Sequence, residues 1–199
     1  MSEPQRARLS PHDRRAQLIA AGVNFLTDHS LDELTMDELA RRAGVSRPLV
    51  FHYFETRQGM HRAVVTTARD SLLVASVPRQ DLAPRERIRD TLLRITMFVQ
   101  EHRGTFYSLV RGAASGDPAV RRIVDESRDL NAGRLYDSFI ELGLADTTLL
   151  RVALRSWVAF AEETLISLAI ERETSADDVV RFLEASLHGM VNSVCDQRL

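Results

Sequence analysis

Residues 35–54 read T-M-D-E-L-A-R-R-A-G-V-S-R-P-L-V-F-H-Y-F, two helix starts separated by a glycine turn. Thr35 followed three residues later by Glu38 has the pattern of a capping box, in which the hydroxyl accepts from the Glu38 N–H and the carboxylate reaches back. Met36, Leu39, Ala40 and Ala43 then fall three or four apart and form one apolar stripe. Gly44 supplies the left-handed residue that ends a helix of about two turns. Ser46 is placed to cap a second helix, with Pro48 tolerated in its first turn because its missing N–H would be unsatisfied there. Two short helices joined this way form a helix-turn-helix.

The second helix separates this pair from an ordinary helical corner. It carries Arg47, Phe51, His52 and Tyr53, and Thr56 and Arg57 follow at once. Ser46 and Thr56 stand at helix N-termini, where free N–H groups and the helix dipole favour a phosphate. Between residues 41 and 69, six arginines stand against one acidic residue, Glu55, a net +5, whereas the whole chain is −2. Positive charge gathered on one element of an acidic chain is the electrostatic footprint of a nucleic-acid reader.

Outward from this segment the chain is helical almost throughout. Ser10, Pro11 and Asp13 start a first helix whose inner face is Leu18, Ile19, Gly22, Val23, Phe25 and Leu26. A long helix is expected from Thr56 to Ser76, punctuated by Pro78 and Pro84. Helical periodicity recurs at 84–101, 105–111, 117–142, 147–171 and 175–196, with a turn G-A-A-S-G-D-P at 112–118. The expected organisation is a flexible arm at 1–9, a helix-turn-helix domain at 10–55, a connecting helix at 56–76 and a larger all-α domain at 77–199.

Composition bounds the function. At 199 residues, 44% hydrophobic and 27% charged, the chain is an ordinary globular protein. No apolar run nears the roughly 18 residues of a membrane span, and M-S-E-P-Q-R-A-R-L-S lacks a signal-peptide core, so a cytoplasmic location is expected. The lone Cys195 excludes an internal disulfide and a cysteine-based zinc site. All 26 basic residues are arginine. Histidines 12, 29, 52, 61, 102 and 188 form no H-x-x-x-H pair, and neither a glycine-rich phosphate loop nor G-x-S-x-G occurs. No enzyme activity, metal or cofactor is expected.

Residues 14–60 resemble the DNA-binding domain of the TetR/AcrR family of bacterial transcription regulators. Thr35, Leu39, Ala40, Ala43, Gly44, Val45, Ser46, Val50, Phe51, Tyr53, Phe54, Thr56, Arg57 and Met60 fall on its signature spacing, several as like-for-like changes. Phe51 stands where that pattern has tyrosine, Arg57 where it has lysine, Ser30 where it has glycine and Leu26 where it has phenylalanine. The resemblance implies a homodimeric repressor on a near-palindromic double-stranded operator, or an activator of the same fold. A helical interaction module or enzyme without DNA binding is the remaining alternative. Arg47, Leu49 and Val50 are expected nearest the base edges. Ser46, Phe51, His52, Tyr53, Thr56 and Arg57 are expected to hold the phosphate backbone, joined by Thr35 and Arg42.

For the C-terminal part the resemblance implies a ligand cavity and a dimer formed by the last two helices. The apolar residues that nearly surround the 147–171 helix fit either an intrachain core or that interface. Met97, Phe98, Phe106, Tyr107, Tyr136, Phe139, Trp157 and Phe160 are large groups on neighbouring segments, which line a pocket or fill a core. Arg111, Asn131 and Glu162 are candidates to orient a ligand head group. Arg128 is a further head-group candidate, and Glu162, among apolar neighbours, needs either a ligand or an arginine of an adjacent helix as partner. The expected effector is mostly apolar, an acyl chain or an aromatic compound, and it acts by moving the 56–76 helix.

Overall fold

The computed structural model describes residues 9–112 and 117–196, so most of the expected N-terminal arm and the centre of the expected 112–118 turn lie outside the described residues. The helices are α1 (Pro11–Phe25), α2 (Met36–Ala43), α3 (Arg47–Phe54), α4 (Arg57–Ala75), α5 (Pro84–Glu101), α6 (Arg103–Gly112), α7 (Pro118–Glu141), α8 (Thr148–Thr164) and α9 (Ala176–Asp196). A single 3-10 turn, Leu31–Glu33, precedes α2, and no strand occurs among the described residues.

Local chemistry starts most of these helices. Ser10, Thr35, Thr56, Thr147 and Ser175 each accept from the backbone N–H three residues on, at 3.0–3.2 Å. Each such cap is worth about 1 kcal/mol. Prolines open α1, α5 and α7 in their first turns, where the lost N–H costs nothing. Gly44 ends α2 at φ 65°. Only half of the expected capping box at α2 forms. The Glu38 carboxylate turns forward to Arg41 and Arg42 at 2.7–2.9 Å, and three charge-assisted bonds from two arginines outcompete one to a backbone N–H.

α1, α2 and α3 close on the first half of α4 around Leu18, Phe25, Leu34, Leu39, Val50, Phe54, Met60 and Val64, all buried. α5, α7, α8 and α9 form a second layer around Leu92, Val99, Leu154, Ile166, Val180, Leu183 and Leu187. Fully burying one such side chain stabilises by roughly 1.5–3 kcal/mol. α4 belongs to both parts, as its buried face runs from Met60 to Leu72.

α8 is not uniformly α-helical to Glu171 as the periodicity suggests. Residues Leu165–Ile170 form a π-helical turn, closed by Glu171 N–H donating to the Ile166 carbonyl at 3.0 Å. The wider turn points Leu165, Ile166 and Ala169 all inward. α6 meets the head backbone to backbone. A Cβ on Gly104 would lie 2.1 Å from the Leu26 carbonyl oxygen and 2.2 Å from that of Thr27. Glycine is therefore required where α6 crosses the end of α1. Among the described residues, no helix is long and apolar enough to cross a membrane.

Candidate functional site

α3 is only eight residues long, so its two faces are set by Val50 and Phe54, one turn apart and pointing into the head core. The opposite face carries Ser46, Arg47, Phe51 and His52, all exposed. Leu49 and Tyr53 lie at its margins, half-buried. Val50, expected at the base edges, is fully buried at 0% exposure and touches only the head core. The i, i+4 spacing with Phe54 is the signal that assigns it there.

The exposed groups are held loosely. Arg47 lies 3.2 Å from Asp37 with both side chains more than half exposed, and its guanidinium sits 5.3 Å from the Phe51 ring centroid. His52 packs edge-on against Tyr53 at 5.3 Å. The Ser46 hydroxyl makes no capping bond and stays available, whereas that of Thr56 accepts from Gly59 N–H. Arg42 pairs with Glu38 and covers the Phe25 ring at 4.7 Å. Together Arg41 and Arg42 hold the Glu38 carboxyl down to about 2.

Arg57 does more than add charge. Its Nε donates to the Leu34 carbonyl at 3.3 Å and its Nη2 to that of Asp32, tying the start of α4 to the turn before α2. His61 joins the same carbonyl. A carbonyl only accepts, so His61 Nε2, 2.8 Å from Leu34 O, carries the hydrogen. Burial first, with a little help from the Arg57 charge, lowers the His61 pKa and favours the neutral ring, although the Leu34 bond opposes the shift.

The joint between α3 and α4 is strained. Glu55 has φ 59° and ψ −46°, and Thr56 N–H donates to the Phe54 carbonyl at 2.6 Å across it. That is a γ-turn centred on a non-glycine residue, a conformation costing about 1–3 kcal/mol. It fixes the angle at which α3 leaves α4.

A cavity lies between the second half of α4 and α5, α6, α7 and α8, with about 710 Å³ of atom-free space counted out to its mouth. Leu72, Ile88, Leu92, Ile95, Leu135, Val158 and Leu165 make most of its wall. Four of the expected residues line it: Phe106, Asn131, Trp157 and Glu162. Met97, Tyr107 and Phe160 do not, because their helix faces point outward and leave them 41–47% exposed. Phe98 packs at a tilt against His102 instead, and Phe139 is buried away from the lining. Tyr136 opens onto a separate shallow cleft under Arg151, and Arg111 is spent on Glu163 at 2.9 Å. Ring size does not tell which face of a helix a residue occupies.

Glu162 has the arginine partner expected of a buried carboxylate. Arg128 Nε donates to it at 2.7 Å, and α7 and α8 are joined there. Burial nevertheless raises the Glu162 pKa, outweighing the Arg128 charge. Ser76, Arg87, Thr91, Arg134 and Ser138 also face the cavity and were not singled out from the sequence. The run Asn131, Arg134, Ser138 at i, i+3 and i+7 was the available signal for α7.

Residues 18–64 match the family described as bacterial regulatory proteins of the tetR family, and residues 84–189 match the tetracyclin repressor-like C-terminal domain. The chain is 31% identical over 105 residues to the HTH-type transcriptional activator FasR of Mycolicibacterium smegmatis, covering 52% of this chain and 48% of FasR. It is 34% identical over 146 residues to the HTH-type transcriptional regulator EthR of Mycobacterium tuberculosis, covering 71% of this chain and 61% of EthR. The chain thus spans about half to three fifths of the length of these relatives. A tetR-family transcriptional regulator from Streptomyces coelicolor superposes with a TM-score of 0.80 at 28% identity, covering 93% of this chain and 83% of that one. With its N-terminal head and its C-terminal helical domain both matched, the chain belongs to the TetR family.

Proposed function

We propose that this protein is a ligand-responsive, DNA-binding transcriptional regulator working as a homodimeric repressor. The observation that carries the reading is the division of α3. Val50 and Phe54 anchor it in the head core, while Ser46, Arg47, Phe51 and His52 are exposed on the other side. A helix so presented enters the major groove. Arg47 and Leu49 meet base edges there, and Ser46, Phe51, His52, Tyr53 and Thr56 hold the phosphates, with Thr35 and Arg42 at the flank. Arg57 supports this surface chiefly by holding α4 to the Asp32–Leu34 carbonyls.

The outer face of α8 and α9 supports pairing of two copies. Leu149, Val152, Phe160 and Phe182 are 37–57% exposed, and the Phe160 and Phe182 rings lie 6.1 Å apart. Exposed Ala185 and Gly189 on the same side of α9 permit close helix approach. A two-fold dimer on this face sets two α3 helices in successive major grooves, roughly 34–36 Å apart. The effector occupies the cavity and is mostly apolar, as its wall is. Binding there shifts α4 and with it the spacing of the two readers.

The test is selection of bound sequences from a random DNA pool, followed by titration in salt. A near-palindromic consensus and affinity falling steeply with salt are expected. A pool that yields no enriched sequence and no salt-dependent binding leaves a helical interaction module instead. FasR is named an activator, and activation uses the same contacts, so the sign of regulation is read from where the selected operator lies relative to a promoter.

A further inference from the structure

We propose that Arg134 is the docking point for a carboxylate head group on the effector, and that receiving it loosens the last turn of α4. The proposal rests on the reading of the cavity as an effector site and names the ligand class: an acid on an apolar body.

The charges around the cavity are matched except at one place. Arg87 has the Glu141 carboxylate at 2.8 Å, and Glu162 has Arg128 at 2.7 Å. Arg94, behind the α4 terminus, has Asp90 at 2.8 Å. Arg134, half-buried in the cavity wall, has no carboxylate within 4.0 Å among the described residues. Its partners are the Leu73 carbonyl at 3.2 Å, the Ser76 hydroxyl and the Asn131 side-chain oxygen at 3.3 Å, all neutral. Burial, and then the neighbouring Arg94 charge, push its pKa down, as expected of a cation without a counter-ion. All three bonds leave from Nη1. The Nε and Nη2 hydrogens therefore remain as the two-pronged edge that a carboxylate accepts from side-on. An unmatched charge half removed from water is costly, and a ligand anion offsets that cost.

The same guanidinium holds a helix end. The last carbonyls of a helix have no partner within it, and at α4 they are taken by two arginines of the C-terminal domain. Arg94 donates to the carbonyls of Ala75 and Val77, and Arg134 to that of Leu73 and to Ser76, which is fully buried. α4 is the helix on which the head is built. A carboxylate on the Nε–Nη2 edge draws the whole guanidinium toward the cavity and lengthens its Nη1 bonds to Leu73 and Ser76, so head-group binding and retention of the α4 terminus oppose each other.

Three ten-carbon probes that differ only in the head group test this by calorimetry on the full chain: decanoate, decan-1-ol and decylammonium. Decanoate is expected to bind about tenfold more tightly than decan-1-ol, with decylammonium weakest. Arg134→Gln should erase the preference for decanoate, and Arg134→Lys, which keeps the charge and the fold, should retain part of it. Decanoate binding no tighter than decan-1-ol, or the preference surviving in Arg134→Gln, overturns the docking point. With saturating decanoate, amide hydrogen exchange at residues 74–77 should quicken where Ser76 N–H bonds Leu72 and Val77 N–H bonds Val74. Unchanged exchange there overturns the loosening. No DNA enters either measurement, so a failure here is separate from a failure of the regulator reading, which the DNA selection decides.

Discussion

Arginine does opposite work in the two halves of this molecule. On the head, Arg41 and Arg47 lie in water, with 69% and 59% of their side chains exposed, and their carboxylate partners are near neighbours on α2. Such exposed pairs are worth about 0–1 kcal/mol and exchange readily for a phosphate. In the C-terminal domain, the Arg87 side chain is 8% exposed and its partners come from three places: Glu141 and the carbonyls of Arg79 and Leu82. Arg94 and Arg134 likewise close a helix end. One side chain therefore makes exchangeable surface pairs where solvent reaches it, and serves architecture where burial makes its bonds costly to break. Arg57 crosses the division, since it sits on the head but bonds backbone carbonyls.

The sharpest way to break this comparison is Arg87→Ala. It strands two carbonyls and the Glu141 carboxylate, and should lower stability by about 2–4 kcal/mol in urea unfolding. A loss below about 0.5 kcal/mol would put Arg87 with the exposed arginines. Next is Gly104→Ala, which drives a methyl into the Leu26 and Thr27 carbonyls and should cost about 1–3 kcal/mol, together with altered DNA affinity. Arg47→Ala should leave the melting temperature nearly unchanged while costing about 1–3 kcal/mol of binding to the selected operator and relaxing one base position. Equal losses on operator and random DNA would make Arg47 a phosphate contact. Glu55→Gly, which relieves the γ-turn, should stabilise the protein by about 1 kcal/mol or less, measured the same way.

The two halves should also answer acid in opposite senses. The folded pKa of His61 is lowered, so its contribution to stability is present above its ordinary 6.5 and is lost as pH falls through the depressed folded value. That of Glu162 is raised, so its contribution is present below its ordinary 4.5 and is lost as pH rises through the elevated folded value. Comparing stability against pH for the wild type, His61→Gln and Glu162→Gln isolates each slope. Slopes of the same sign for the two residues would contradict these environments.

Much of the fold was legible because its punctuation is chemical and local. Pro84 opens α5, and its expected end at Glu101 is the observed one. Ser10, Thr35 and Thr56 mark starts in the same way. The π-helical turn at Leu165–Ile170 was not legible, since its apolar residues fit an α-helical stripe equally well. On α3 the exposed arginine and rings were legible from charge and aromatic content, whereas the inward turn of Val50 was not. The cavity was least legible. Its lining depends on how five helices rotate against one another, and size pointed to Tyr107 and Phe160 on outer faces while passing over Ser76 and Arg134. Packing between distant segments decides such rotations, and no local pattern records it.

Gly104 gives the molecule an uneven mechanical stiffness. Where α6 crosses α1, backbone bears on backbone, with no side chain between them to change rotamer and absorb a push. The end of α4, by contrast, is held by long arginines that yield by torsion. A displacement of α6, whose Phe106 forms part of the cavity wall, therefore bears directly on the end of α1, beside the path that runs along α4. The head thus meets the cavity wall through a backbone contact that cannot give way, as well as through the continuous helix α4.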